Sequence, residues 1–236
     1  MTDSYKVEFS DCGMVPEMSL ARIMEIVENK VSDLTKDIKC DNITLHDQYQ
    51  LMWVFTKQKI VTLRSPKWNE TITITCEILK TERIKNYFLT QMIDSSGKVI
   101  VRSILESCLL NCESFRITKL STVNLLPKES DEDVSFDFLN ENPLKQAFEF
   151  SVTPSMLDYS KHMNNTKGII RFYDTLTIEE YQEINSKPYV FIIQYCSQAV
   201  IHEKLVINTL KEENNYFFEI EKEDGKSVIK ASLLLK

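Results

Sequence analysis

Residues 158–165, DYSKHMNN, gather an acid, a histidine and two asparagines immediately ahead of an apolar-periodic run. Asp158 and His162 stand four positions apart, in a chain with only three histidines. A carboxylate placed there can activate water or attack a carbonyl carbon directly. An imidazole beside it can orient that water or carry its proton. Asn164 and Asn165 are both N-cap residues by type, set where helical periodicity begins. The first N–H groups of a helix have no partner within it and carry partial positive charge, so a carbonyl brought there meets donors for an oxyanion. The bland alternative is a solvated polar loop that caps a helix and does no chemistry.

Other groups with chemical capacity are isolated. His46 sits in the loop-like LHDQYQ and reads as a surface residue, while His202 flanks a strand and reads as structural. Cys108-x-x-x-Cys112 has no second half and no C-x-x-C pair occurs, so neither a metal nor any other cofactor is expected. Cys196 has no base beside it and reads as a buried strand thiol. The six cysteines form no framework, and MTDSYKVEFSDCGM lacks the layout of a signal peptide. A cytoplasmic protein with reduced thiols is therefore expected. No apolar run reaches the roughly 20 residues of a membrane-spanning helix. A net charge of −7 without a basic stripe argues against nucleic acid.

The elements that must position Asp158 and His162 come from a repeat. YFLTQMIDSSGKVIVRSILESCLL from Tyr87 and YFFEIEKEDGKSVIKASLLLK from Tyr216 are each an alternating run, a Gly-Lys turn and a second alternating run. That is the pattern of a hairpin. Upstream, PKWNETITITCEIL parallels AVIHEKLVINTLKE, with Glu70 matched to Glu203. Earlier still, Leu20, Ile23, Met24 and Val27 fall at helical spacing, and so do Ile169, Phe172, Tyr173 and Leu176. The same features recur in the same order, which reads as a duplicated domain. The halves are residues 1–122 and 146–236, joined by an acidic, proline-containing surface linker over 123–145. Each half is predicted to be α+β, with one long helix lying in the curve of an antiparallel sheet.

This helix-plus-sheet repeat, with D-x-x-x-H-x-N-N opening the second helix, resembles the acyl-ACP thioesterase family of plants and bacteria. MWVFTKQKIVTLRSPKWNETITI is similar to the family's Trp-containing strand and P-x-W-x-[DE] step, and LDYSKHMNNTKGIIRF to its catalytic segment. The likeness spans nearly the whole chain. It implies two tandem hot-dog domains and the release of free fatty acid from acyl carrier protein. It implies Asp158 and His162 as the catalytic pair. Ser160 stands where the family usually has Asn, and Gln198, with Gln194, where an acid is expected. The resemblance also implies that the N-terminal hot-dog lines the acyl tunnel. Ile23, Met24 and Trp53 are the pocket residues expected there, because the first half keeps the apolar helix and lacks the polar cluster.

The expected partners are acyl carrier protein and a fatty acyl thioester, and a homodimer stays open as an assembly. Because the carrier is acidic, Lys161, Lys167 and Arg171, with Arg64 and Lys67 of the first half, are the basic residues suited to docking it. One rival is an acyl-CoA thioesterase of the same superfamily, whose single-domain members usually build the site across a homodimer. Another is a non-catalytic acyl-binding module, which the two glutamines and the missing Asn would suit. A hot-dog hydratase would need a D-x-N-P-[LIV]-H setting, which is absent.

Overall fold

Runs such as TITITCEIL alternate β-branched and polar residues with period two, which suits strands with one face buried. The computed structural model describes residues 1–137 and 142–236 and forms strands at these runs. The first half comprises β1 (Thr2–Lys6), α1 (Leu20–Asp37), α2 (Asn42–Tyr49), β2 (Leu51–Thr62), β3 (Thr71–Thr81), β4 (Asn86–Ile93), β5 (Val99–Asn111) and the short β6 (Ile117–Thr118). The second comprises β7 (Lys145–Ser151), α3 (Asn165–Tyr173), α4 (Ile178–Ser186), β8 (Tyr189–Tyr195), β9 (Lys204–Glu212), β10 (Asn215–Lys222) and β11 (Ser227–Leu235). Both expected hairpins are present, β4–β5 and β10–β11. Gly97 and Gly225 turn them at φ of 85° and 79°, a region that suits glycine.

The two hot-dog halves share one sheet. Its order is β1-β3-β4-β5-β2-β8-β11-β10-β9-β7, so the second half repeats the first in reverse about the central pair. That pair is antiparallel, with Lys57–Thr62 set against Tyr189–Gln194. A single apolar core crosses the join, uniting Met18, Ile23 and Met24 with Phe172, Phe191 and Phe218. The repeat is also exact at the strand entries. Val7 and Val152 donate their N–H groups to the carbonyls of Glu70 and Glu203, at 2.8 and 3.0 Å, as the sequence match of those glutamates predicts.

The second helix is not one long helix. It ends at Tyr173, and α4 begins four residues beyond Asp174. Thr177 caps α4 through a reciprocal box with Glu180, a local signal that starts a new helix in a stretch rich in β-branched residues. Leu176, counted in the helical pattern, lies in the break and still packs on the core. α2 replaces the loop expected around His46. Asp41 caps it by accepting from the N–H groups of Ile43 and Thr44, and His46 is exposed on it. From residue 123 to 137 the linker crosses the outer face of the first half, and Asn142 and Lys145 lie with the second. Val134 and Phe136 cover Leu79, Tyr87, Leu89 and Ile104, and Glu132 pairs with Arg102 at 2.8 Å. Linker residues 138–141 lie outside the described residues.

Candidate active site

Asp158 begins a five-residue loop that returns to the sheet at His162. The Asp158 N–H donates to the His162 carbonyl at 2.9 Å, and His162 bridges to Val200. Lys161 closes the turn at φ 64°. Inside it, Asp158 Oδ1 accepts from the Ser160 N–H at 2.8 Å and the Ser160 hydroxyl at 2.6 Å. The same hydroxyl lies 3.1 Å from His162 Nδ1. A carboxylate only accepts, so the single hydroxyl hydrogen goes to Asp158 and the ring nitrogen is the donor to Ser160. That arrangement leaves Nε2 as the acceptor of the neutral ring. Ser160 thus links the acid to the imidazole instead of being a mere gap in the motif.

Two residues beyond His162 the chain enters α3. Asn164 is the N-cap: its Oδ1 accepts from the Thr166 N–H at 3.0 Å and from the Thr166 hydroxyl at 2.7 Å. Asn165 is the first helical residue, and its backbone N–H has no acceptor among the described residues. Its side chain points elsewhere, donating from Nδ2 to Glu28 Oε1 at 3.1 Å. A cavity of 330 Å³ opens here, lined by Glu25, Glu28 and Asn29 of α1, Ser155 and Leu157 of the approach to the loop, and Asn164 and Lys167 of α3. Burial pushes the Glu28 carboxyl up to about 7. The bond from Asn165 opposes that rise, and the charges of Glu25 and Asp158 add to it. Tyr195, at the end of β8, has an enclosed hydroxyl with no hydrogen-bond partner among the described residues. Its burial, then the nearby Glu28 charge, holds its pKa far above the usual value.

The structure gathers Asp158, Ser160, His162, Asn164 and Asn165 at one end of α3 and leaves the other expected residues apart. Gln198 is exposed and makes no side-chain hydrogen bond among the described residues. Cys196 is exposed just past β8, not a buried strand thiol, because β8 ends one residue before it. Partial burial raises its thiol, and its charged neighbours are Lys230, Glu219 and Lys57, which lie beside Gln194 on the sheet's other face. Ile23 and Met24 are fully buried in the shared core. Trp53 lies in a separate cluster with Leu45, Leu109 and Leu120, where its indole N–H donates to the Cys40 carbonyl at 2.7 Å. Of the basic residues, Arg64 is engaged by Glu70 at 2.6 Å and Asp94 at 3.3 Å, Lys67 by Glu17 at 3.4 Å, and Arg171 by Asp174 at 3.0 Å. Glu28 and Tyr195 were not legible as site residues. Glu25, Glu28 and Asn29 do share one helical face at i, i+3, i+4, but that spacing does not say what the face meets.

The paired hot-dog, with an acid–hydroxyl–imidazole chain opening the helix of its second half, has the fold of the thioester hydrolases. Residues 1–122 match the acyl-ACP thioesterase N-terminal domain. The chain belongs to the acyl-ACP thioesterase family, and its activity is hydrolysis of acyl-ACP. An acyl-ACP thioesterase from Bacteroides thetaiotaomicron superposes with a TM-score of 0.86 at 15% identity, over 100% of this chain and 97% of that one. A 12:0-ACP thioesterase from Umbellularia californica superposes at 0.83 and 16% identity, over 100% and 96%. At such identities the two structures establish the fold. No curated protein sequence matches the chain.

Proposed function

We propose that the thioester is cleaved at the N-terminus of α3, with His162 as base, Asp158 as the group that fixes it through Ser160, and the Asn165 N–H as an oxyanion donor. The observation that carries this is the Asp158–Ser160–His162 chain, at 2.6 and 3.1 Å, set directly before a capped helix whose first N–H has no acceptor among the described residues. The acyl carbonyl lies toward that N–H. Nε2 of His162 takes a proton from water, and the oxygen adds to the carbonyl carbon. Charge then develops on the carbonyl oxygen, where a fixed donor contributes about 3 kcal/mol or more.

The same reading divides the chain into an N-terminal hot-dog, 1–122, that holds the acyl chain, a linker, 123–145, and a C-terminal hot-dog, 146–236, that carries the catalytic loop. Ile23 and Met24 are the first-half residues proposed to face the acyl chain, although both are packed into the shared core in this structure. Lys161 and Lys167, which have no ion-pair partner among the described residues, suit the acidic carrier better than Arg64 or Lys67. Six free cysteines suit a cytoplasmic location. Both sides of the cavity come from one chain, so a homodimer would form on another surface and would not complete the site.

Thiol release from acyl-ACP and from acyl-CoA of several chain lengths tests the reading. The native protein should favour acyl-ACP, and His162→Ala and Asp158→Asn should each lose on the order of a hundredfold in rate while staying folded. Near-normal turnover in both variants would remove the assignment.

A further inference from the structure

Helix α1 belongs to the first half, yet one of its acids faces the chemistry of the second. Glu28 lines the cavity at the start of α3, and its only side-chain hydrogen bond among the described residues comes from the neutral amide of Asn165, at 3.1 Å. The groups around it come from every neighbouring element. Glu25 of α1 is tied to Arg22 at 2.9 Å, Asp158 approaches from the loop, Lys167 comes from α3, and Tyr195 from β8. The Tyr195 hydroxyl, near enough to feel the Glu28 charge, is enclosed and has no hydrogen-bond partner among the described residues. A glutamine would satisfy Asn165 as well as a glutamate does. Placing a carboxyl there, half-buried between the two helices, therefore brings a desolvation penalty with no packing gain. Gln198 cannot supply this proton, since an amide does not exchange between acid and base at neutral pH.

We propose that Glu28 is the general acid of the hydrolysis, delivering its proton to the sulfur of the leaving thiolate. This rests on the reading that cleavage occurs at the N-terminus of α3. Water gives one proton to His162 Nε2, and its oxygen bonds to the acyl carbon. The C–S bond breaks with its electron pair on sulfur, and the Glu28 carboxyl protonates that sulfur. The proton on His162 then returns to the Glu28 carboxylate through solvent, and both groups are reset. Burial and the charges of Glu25 and Asp158 keep Glu28 substantially protonated near neutral pH, where an acid catalyst is most effective.

The leaving group separates this role from a structural one. Glu28→Gln keeps an acceptor for Asn165, and its rate should be measured on acyl-ACP and on the 4-nitrothiophenyl ester of the same acyl group. An alkyl thiolate benefits from protonation; the aryl thiolate leaves without it. The expected result is a loss on the order of a hundredfold on acyl-ACP, little change on the aryl ester, and loss of the alkaline limb of the pH–rate profile. Equal losses on both substrates, or no loss on either, overturn the proposal. His162→Ala, run beside it, should lose rate on both esters. If His162→Ala retains activity, the failure lies in the site reading and takes the Glu28 proposal with it.

Discussion

The two helix starts are built alike and finished differently. In each half a five-residue loop returns to the sheet just before the helix: Gly13–Glu17 ahead of α1, Asp158–His162 ahead of α3. Glu17 bridges to Lys67 as His162 bridges to Val200, so Glu17 is the counterpart of the histidine and Gly13 of the aspartate. Met18 and Met163 then donate to the carbonyls of Pro66 and Ala199, at 2.7 and 2.9 Å, and the caps Ser19 and Asn164 follow. At α1, however, every early donor is taken. The Leu20 N–H goes to Asn185 Oδ1 at 3.2 Å, the Ala21 N–H to the Tyr173 hydroxyl at 3.4 Å, and the Arg22 N–H to Ser19 at 3.3 Å. Tyr181 seals the loop, its hydroxyl lying 1.8 Å from where a Cβ on Gly13 would be. At α3 the corresponding space is a cavity, and the residue facing it from the other half is an acid. Duplication supplied two similar helix starts, and side chains of the second half's helices closed one of them.

The largest expected effect concerns that acid. Glu28 has a folded pKa of about 7 against an ordinary 4.5, so between those values the folded chain holds a proton that the unfolded chain has released. Its contribution to stability is intact below about pH 4.5 and is lost as pH rises through about 7. Glu28→Gln should therefore stabilise the protein at pH 8 by up to about 3 kcal/mol and leave it little changed at pH 4.5. Melting curves at the two pH values check this. An equal effect at both would mean the acid is not buried in the charged state.

Next comes the seal. Gly13→Ala should cost roughly 1–3 kcal/mol by pressing a methyl group into the Tyr181 hydroxyl, and Tyr181→Phe should recover part of that loss. The rate on acyl-ACP should not change with either variant, since this start is closed. A urea-unfolding double-mutant cycle measures the coupling.

Smallest are the caps. Ser19→Ala and Asn164→Ala should each remove about 1 kcal/mol of stability, because each deletes one acceptor at a helix start. Only Asn164→Ala should also slow hydrolysis, since it loosens the turn that presents the Asn165 N–H. Equal turnover in the two variants would erase the functional distinction between the helix starts.

Much of this molecule was legible because the signals are short-range. Strand alternation, the glycine turns and the cap at Asn164 each depend on residues within a few positions of one another, and the match of Glu70 to Glu203 on comparing two such short segments. The break at Thr177 was equally local, but the apolar spacing of Phe172, Tyr173 and Leu176 hid it, since a core-facing loop residue can keep helical phase. His46 is exposed as expected, but its segment was misread as a loop for a similar reason: α2 is short and its apolar pattern weak, so its cap was the better signal. The chain by itself determined two α+β copies and the polar loop that distinguishes the second. Only the tertiary structure decided that β2 and β8 join the copies into one sheet, that Asn185 closes α1 from 165 residues away, and that Glu28 reaches Asn165 across 137. No local pattern encodes those pairings. They follow from packing two apolar helix faces on one continuous sheet, which brings each half's polar flank against the other's helix start.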